Sequence, residues 1–166
     1  MTRRLALILL LAPLSGCGLH PLYAGGSSGP VAGLLSTVQV GPIEGQPGWL
    51  VRTKLIDGLG AGGTAAPQYR LDVKLDDNLT LYGLRADQAA TQERRTLRAR
   101  YQLVEIATGT TVLDATAGSD VSIDTVSSEY ATVAAEQTAL ENLSGIIADQ
   151  IVARVATYAS RTAASR

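Results

Sequence analysis

Five arginines lie within sixteen positions of this 166-residue chain, and their type and spacing suit the binding of an anion. They are Arg85, Arg94, Arg95, Arg98 and Arg100. A guanidinium group can donate two parallel hydrogen bonds to one phosphate, so a cluster of this kind could hold phosphate groups. Phosphate binding is therefore one interpretation of the cluster.

Cross-strand pairing is the other interpretation of the same arginines. If the two strands predicted around them form an antiparallel hairpin, a register that keeps both buried faces together brings Arg98 and Arg100 near Asp72 or Asp76. Opposite charges that face each other across the strands would then account for those two arginines. The candidates that remain, in or beside the predicted hairpin loop, are Arg85, Arg94 and Arg95.

The other reactive residues do not assemble into a catalytic or metal site in the sequence. His20 is the only histidine and lies outside the patterned part of the chain, where nothing would orient it as a base. Asp72, Asp76 and Asp77 could form a calcium or acid–base cluster, but a solvated strand face shared with basic residues explains them better. We therefore expect no enzyme activity, no metal and no cofactor.

The only cysteine, Cys17, follows a segment that is typical of a signal peptide. Arg3 and Arg4 precede a run of ten residues, 5–14, that is apolar but shorter than the roughly 20 residues of a membrane span. Leu-Ser-Gly-Cys at 14–17 resembles the lipobox of bacterial lipoproteins, in which the cysteine receives a diacylglyceryl group, becomes the first mature residue and is usually N-acylated. Gly18, rather than Asp, then favours the outer membrane. An ordinary signal peptide with an incidental cysteine is the alternative.

The composition indicates a globular protein with no bulk positive charge. Apolar residues make up 46% of the chain and charged residues 17%. Removal of Arg3 and Arg4 with the signal peptide leaves 12 basic against 15 acidic residues, a formal charge of −3. We therefore expect no nucleic acid partner.

Hydrophobic patterning predicts one strand, a helix, three strands and a long helix. The predicted strands span 34–40, 68–77, 96–106 and 111–123, and the predicted helices span 47–59 and 129–159. Residues 82–92 are predicted as a long hairpin connection, Gly118 as a bulge, and Gly145 as a point of close packing or slight bending. These elements predict an α+β fold: a two-layer sandwich of a mainly antiparallel four-stranded sheet with two helices on one face.

The same pattern divides the chain into segments. Residues 1–16 are predicted to be the lipoprotein signal peptide, and 17–33 the lipidated N-terminus with a glycine- and serine-rich linker. Residues 34–160 are predicted to form a single domain, and 161–166 a frayed tail.

Several segments together resemble the LptE family of lipopolysaccharide-assembly lipoproteins, in its shorter form. Cys-Gly-Leu-His-Pro-Leu-Tyr at 17–23 is similar to the mature N-terminus of that family. Gly45 and Gln46, followed by spaced leucines, are similar to its first helix, and Ile-Val-x-Arg at 151–154 is similar to its last helix. The resemblance covers essentially the whole mature chain.

This resemblance implies a lipoprotein of the outer membrane that sits as a plug inside a large β-barrel partner, LptD, and faces the periplasm and the barrel lumen. It implies a non-enzymatic role in which the protein helps the barrel to assemble and to deliver lipopolysaccharide to the outer leaflet. Family members are thought to touch lipopolysaccharide through basic residues near a loop at one end of the sheet. Arg85 is the candidate here, with Arg94 and Arg95 behind it.

A second hypothesis is compatible with the same anchor and linker. A periplasm-facing lipoprotein could bind a small solute or serve as the auxiliary component of an ABC-type transporter. Fractionation with the inner membrane, or co-purification with an ATPase, would favour this hypothesis over the first.

Overall fold

The computed structural model describes residues 29–61, 65–84, 90–124 and 128–164, which form seven elements. In chain order these are α1 (Pro30–Leu35), β1 (Val38–Val40), α2 (Gly45–Leu59), β2 (Tyr69–Leu84), β3 (Ala90–Glu105), β4 (Thr111–Asp124) and α3 (Glu129–Ala164). The predicted order of four strands and two helices is confirmed, and α1 is an additional short helix.

The four strands form one sheet in the order β1, β2, β3, β4. The short β1 pairs parallel to the start of β2, whereas β2–β3 and β3–β4 are antiparallel. The two predicted helices, α2 and α3, lie with α1 on one face of the sheet. Their buried residues and those of the sheet form a single apolar cluster. The predicted α+β fold is therefore confirmed.

Alternation along the strands determines which side of the sheet is buried. Odd-numbered residues face the helices over 69–81 of β2, 93–103 of β3 and 113–123 of β4, and Leu71, Leu97 and Leu103 are fully buried there. Even-numbered residues, among them Arg70 and Arg98, lie on the opposite, solvent-exposed side, which we call the open face. The inward residues predicted for β3, from Leu97 to Leu103, are those that the structure buries.

The two longer helices differ in how much of the sheet they cover. Helix α3 has 36 residues and a length of about 54 Å, whereas α2 has 15 residues and a length of about 22 Å. They run parallel, because Gln46 Nε2 donates to Gln137 Oε1 at 2.9 Å near one end, and Gly58 packs against Val152 near the other. Strands of 14–16 residues are about 50 Å long, so α3 follows the sheet beyond the start of α2.

The predicted first strand began too early. Leu34 and Leu35 belong to α1, and strand pairing begins only at Val38. Pro30 occupies the first helical position, where its fixed φ angle and missing N–H cost nothing. Burial of Val31 and Leu35 in the core together with α3 then favours the helix over an extended run.

Several other boundaries and glycine assignments also differ from the predictions. Strands β2 and β3 extend to Leu84 and from Ala90, so most of the predicted long connection is sheet. Gly118 pairs regularly opposite Arg98, and the irregular register lies elsewhere, so the predicted bulge at Gly118 is wrong. A Cβ atom at Gly145 would meet nothing within 4 Å, so close packing does not explain that glycine. Helix α3 continues to Ala164, through most of the predicted frayed tail.

None of the helices in these described ranges combines the length and apolarity needed to cross a membrane.

Candidate functional site

The end of the sheet that α2 leaves uncovered carries two of the candidate arginines. We call it the distal end; it comprises 77–84 of β2, 90–96 of β3, 119–124 of β4 and the first two turns of α3. It is remote from α1, which packs against the last turns of α3 near Ala159 and Thr162. The strand register brings Arg94 and Arg95 there, and because neighbouring strand residues alternate, their side chains lie on opposite sides of the sheet.

Arg94 lies on the open face in weak, exposed contacts. Its guanidinium carbon lies 5.3 Å from the centre of the Tyr82 ring, and Nε lies 3.8 Å from Asp120 Oδ2. The Tyr82 hydroxyl is itself fixed by a 2.6 Å hydrogen bond to Ser122 Oγ. An exposed cation–π contact contributes about 0.5–1 kcal/mol, and an exposed ion pair about 0–1 kcal/mol. Arg94 is therefore oriented but can exchange Asp120 for another anion at little cost.

Arg95 lies on the helix-facing side and is held by three hydrogen bonds. Its Nη2 and Nε donate to the two carboxylate oxygens of Asp77 at 2.6 and 2.9 Å, and Nη1 donates to the backbone oxygen of Glu136 at 3.1 Å. The hydrogen bonds to Asp77 raise the pKa of Arg95, so its charge is permanent. Because these contacts join β2, β3 and α3, Arg95 fastens the start of α3 to the sheet.

Glu93 is a buried carboxyl group that the sequence reasoning missed. It is 7% exposed, and Oε2 has no hydrogen-bond partner among the described residues. Burial raises the pKa of Glu93, and the neighbouring carboxyl group of Glu136 raises it further. The sequence contained a signal for it: Glu93 has an odd number, as the inward-facing residues of β3 do, and a carboxyl group is rarely buried at such a position.

Of the two other described arginines of the cluster, Arg100 forms an ion pair on the open face, although with a partner that was not predicted. Arg98 lies opposite Asp76 in the register. Arg100 binds Asp114 of β4, with Nη2 at 3.0 Å from Oδ2, and this interaction lowers the pKa of Asp114. Arg100 also lies near Asp72 and Asp76, as predicted, but neither of them is its partner. Asp72 binds its neighbour Arg70, and β4 supplies the carboxylate that Arg100 binds.

The predicted carboxylate cluster is divided by the sheet. Asp72 and Asp76 lie on the open face, whereas Asp77 lies on the helix-facing side with Arg95. Within the described part of the chain, no three histidine, cysteine, aspartate or glutamate residues are grouped so that they could hold a metal ion. Cys17 and Arg85 lie outside the described residues.

The arrangement of strands and helices is similar to that of several bacterial lipoproteins of known structure. A putative lipoprotein from Caulobacter crescentus has 24% identity and a TM-score of 0.65, with 81% of this chain and 98% of that chain covered. A minor lipoprotein from Acinetobacter baumannii has 16% identity and a TM-score of 0.59, with 73% and 90% covered. Rare lipoprotein B from Shewanella oneidensis has 9% identity and a TM-score of 0.52, with 77% and 95% covered. At these identities the likeness establishes the fold.

The family is established by sequence. No curated protein sequence matches this chain. The family model described as LptE, lipopolysaccharide-assembly, matches residues 35–155, a span that runs from the end of α1 through most of α3 and includes the distal end. The chain therefore belongs to the LptE family of lipopolysaccharide-assembly proteins.

Proposed function

We propose that this protein is an outer-membrane lipoprotein, anchored through acylated Cys17, that serves as a non-enzymatic plug and assembly subunit of a large β-barrel partner similar to LptD. In this role it helps the barrel to assemble and to deliver lipopolysaccharide to the outer leaflet. The observation that carries the proposal is the LptE family match over residues 35–155. The lipobox at 14–17 supports the anchor, and the similarity in fold to other bacterial lipoproteins is consistent with it.

The geometry of the domain supports a plug that is tethered at one end. Residues 17–29 could span at most about 45 Å if fully extended, and the sheet adds about 50 Å between α1 and the distal end. The open face carries charged and polar side chains along its whole length, such as Arg70, Lys74 and Gln102. A face of this kind suits contact with the polar lumen of a barrel.

Isolation from the membrane tests this proposal. We expect the chain extracted from the outer membrane in a mild detergent to co-purify with one large β-barrel protein in a fixed ratio. A variant with Cys17→Ala serves as the control, because it should lose the anchor and the association with the membrane fraction. Repeated recovery of the acylated chain alone, or its fractionation with the inner membrane, would refute the proposal.

The distal arginines are proposed as the contact with lipopolysaccharide. Arg94 supports this proposal best among the described residues, since its guanidinium group is half-exposed and weakly paired. Arg95 could contribute positive charge, although its donors are directed to Asp77 and Glu136. Arg85 belongs to the same proposal on sequence grounds. Lipid A phosphates suit the paired donors of arginine.

A pair of matched arginines tests the contact. Arg94 and Arg70 both lie on the open face, with side chains 54% and 53% exposed, and each has one carboxylate partner. Arg94→Ala should weaken lipopolysaccharide binding by about ten-fold, the loss of one charge-assisted contact, and the addition of Arg85→Ala should weaken it further. Arg70→Ala should leave binding unchanged, because it lies at the other end of the sheet. If Arg94→Ala and Arg70→Ala bind lipopolysaccharide equally well, Arg94 does not contact it and only pairs with Asp120 and Tyr82.

A further inference from the structure

The two edges of the sheet are treated differently by the rest of the fold. On the outer side of β4, the side chain of Gln150 from α3 binds the backbone of Gly118. The N–H of Gly118 donates to Oε1 at 3.2 Å, and Nε2 donates to the Gly118 oxygen at 3.4 Å. On the outer side of β2, the short β1 pairs only with Tyr69–Leu71, and the last hydrogen bond to this edge comes from Gly41. Residues 42–44 then flank Val73 to Leu75 across a pocket. An exposed edge strand is a template for pairing with another strand.

The direction of the unpaired backbone groups follows from the contacts with β1. The N–H of Tyr69 donates to the Thr37 oxygen at 3.3 Å, and the oxygen of Leu71 accepts from the Gly41 N–H at 2.9 Å. Because backbone groups alternate along a strand, the next odd-numbered residues point the same way. Those residues are Val73, Leu75, Asp77, Leu79 and Leu81. Among the residues described here, no strand pairs with this edge, which we call the free edge of β2.

An exposed apolar surface lies beside the free edge on the helix-facing side. Leu79 and Leu81 of β2 are exposed, Leu81 to 63%, and so are Tyr130 and Val133 in the first two turns of α3. Val133 lies one turn before Gln137, the residue that binds Gln46 at the start of α2. All four residues therefore lie on the helix-facing side of the distal end, and we call them the apolar shelf. Clustered exposed apolar residues mark binding surfaces more often than scattered ones do.

We propose that an extended segment of a partner protein adds to the free edge of β2 as a fifth strand of the sheet. Its backbone pairs with the outward groups of Val73 to Leu81. Its side chains alternate, with apolar residues over the shelf and polar residues on the open face. Lys74 and Asp76 of β2 lie on the open face at the same edge. In the added strand, an acidic residue opposite Lys74 and a basic residue opposite Asp76 would complement their charges.

Other occupants fit the free edge less well. An acyl chain would cover the leucines but would leave the outward N–H and C=O groups desolvated and without partners. A second copy would bring no unpaired cation to the helix-facing side of the edge. The residues from Val73 to Leu81 that face this side are apolar apart from Asp77, and Arg95 of the next strand is already bound to Asp77 of its own chain. Every antiparallel self-pairing therefore sets Asp77 against itself or against an uncharged residue. A strand from a different chain is free of that restriction.

The inference rests on the proposed function for its partner, since the chain that assembles with this one is the source of the strand. Residue-resolved amide hydrogen exchange tests it, on the acylated protein alone and on the detergent-extracted assembly. In the free protein we expect fast exchange at the outward amides of Val73, Leu75, Leu79 and Leu81. In the assembly those amides should slow by about ten-fold or more, the protection given by one net hydrogen bond.

Even-numbered amides provide the internal control. Lys74, Asp76, Asn78 and Thr80 direct their backbone groups to β3 and should exchange slowly in both forms. A change confined to alternate residues therefore reports strand addition. Slowing of a whole block without alternation would indicate simple shielding and would overturn the inference, as would alternating protection that appears only in a homodimer.

Substitutions give a second test that separates this inference from the proposed function. Leu79→Lys and Leu81→Lys should each reduce recovery of the assembly by about ten-fold while the urea midpoint of the free protein stays within error. Ile106→Lys is the matched control, because Ile106 is similarly exposed but follows β3 at the opposite end of the sheet. Equal recovery of the barrel with all three variants would refute the added strand alone. Fast exchange of the outward amides of β2 in an assembly that contains the barrel would do the same. Recovery of the chain without any partner would refute both proposals.

Discussion

Replacement of Arg95 by alanine should detach the first turns of α3 from the sheet. The substitution removes two hydrogen bonds to Asp77 and one to the backbone oxygen of Glu136. The side chains of Arg95 and Asp77 are 16% and 21% exposed, so the pair is intermediate between a surface ion pair and a buried one. Surface pairs contribute about 0–1 kcal/mol, and breaking a buried pair costs about 3–5 kcal/mol. We therefore expect a loss of about 2 kcal/mol in the free energy of unfolding.

Urea denaturation of the chain from which residues 1–17 have been removed measures this loss. A double-mutant cycle with Asp77→Ala should give a coupling energy of about 1–2 kcal/mol, because both side chains lose the same contact. Arg70→Ala is the control: it breaks the exposed pair with Asp72 and should not shift the urea midpoint. If Arg95→Ala is no more destabilising than Arg70→Ala, the role assigned to Arg95 in fastening α3 is incorrect.

Three further predictions concern the buried carboxyl group, the glycines and the core. Burial raises the pKa of Glu93, so the stability that its proton provides is present at low pH and lost as the pH rises through that raised pKa. The free energy of unfolding of Glu93→Gln, measured by urea denaturation, should equal that of the original protein near pH 4 and exceed it by about 1–2 kcal/mol at pH 7. The same pH dependence in both proteins would contradict this prediction. Gly145→Ala should stabilise the fold by about 1 kcal/mol and so raise the thermal midpoint, because its Cβ would meet open space. Gly48→Ala should lower the thermal midpoint, because its Cβ would lie 2.6 Å from a backbone oxygen. The reverse order of midpoints would contradict the packing at these two glycines. Ile147→Ala should cost about 2–5 kcal/mol in the fully buried core, and the exposed neighbour Ile146→Ala much less, as chemical denaturation can verify.

Long patterned segments revealed the fold because their periodicity reports burial directly. Alternation from Tyr69 to Leu75 and the spacing of apolar residues from Leu140 to Tyr158 predicted a strand and a helix that the structure confirms. The short run around Leu34 did not carry such information. Six residues fit a helix or a strand equally well, and contact with α3, about 120 positions away, decides between them.

The candidate site was harder to predict because it depends on register. The sequence places Arg94 and Arg95 side by side, but only the pairing of β2, β3 and β4 sends them to opposite sides of the sheet. Likewise, Asp114 becomes the partner of Arg100 only once β4 is known to lie next to β3. Glu136 lies 41 positions from Arg95, a distance at which sequence spacing carries no information on contact.

The short elements α1 and β1 have a mechanical consequence if the N-terminus is anchored as proposed. A force on the tether would reach α1 first, and α1 is held by two buried side chains, Val31 and Leu35. The next point of resistance is the three-residue ladder between β1 and β2. Both are weak compared with the long β2–β4 meander and α3, so this end would yield under load while the rest of the sandwich stayed intact. Membrane motions could thus be absorbed at α1 and β1 before they disturb the distal end.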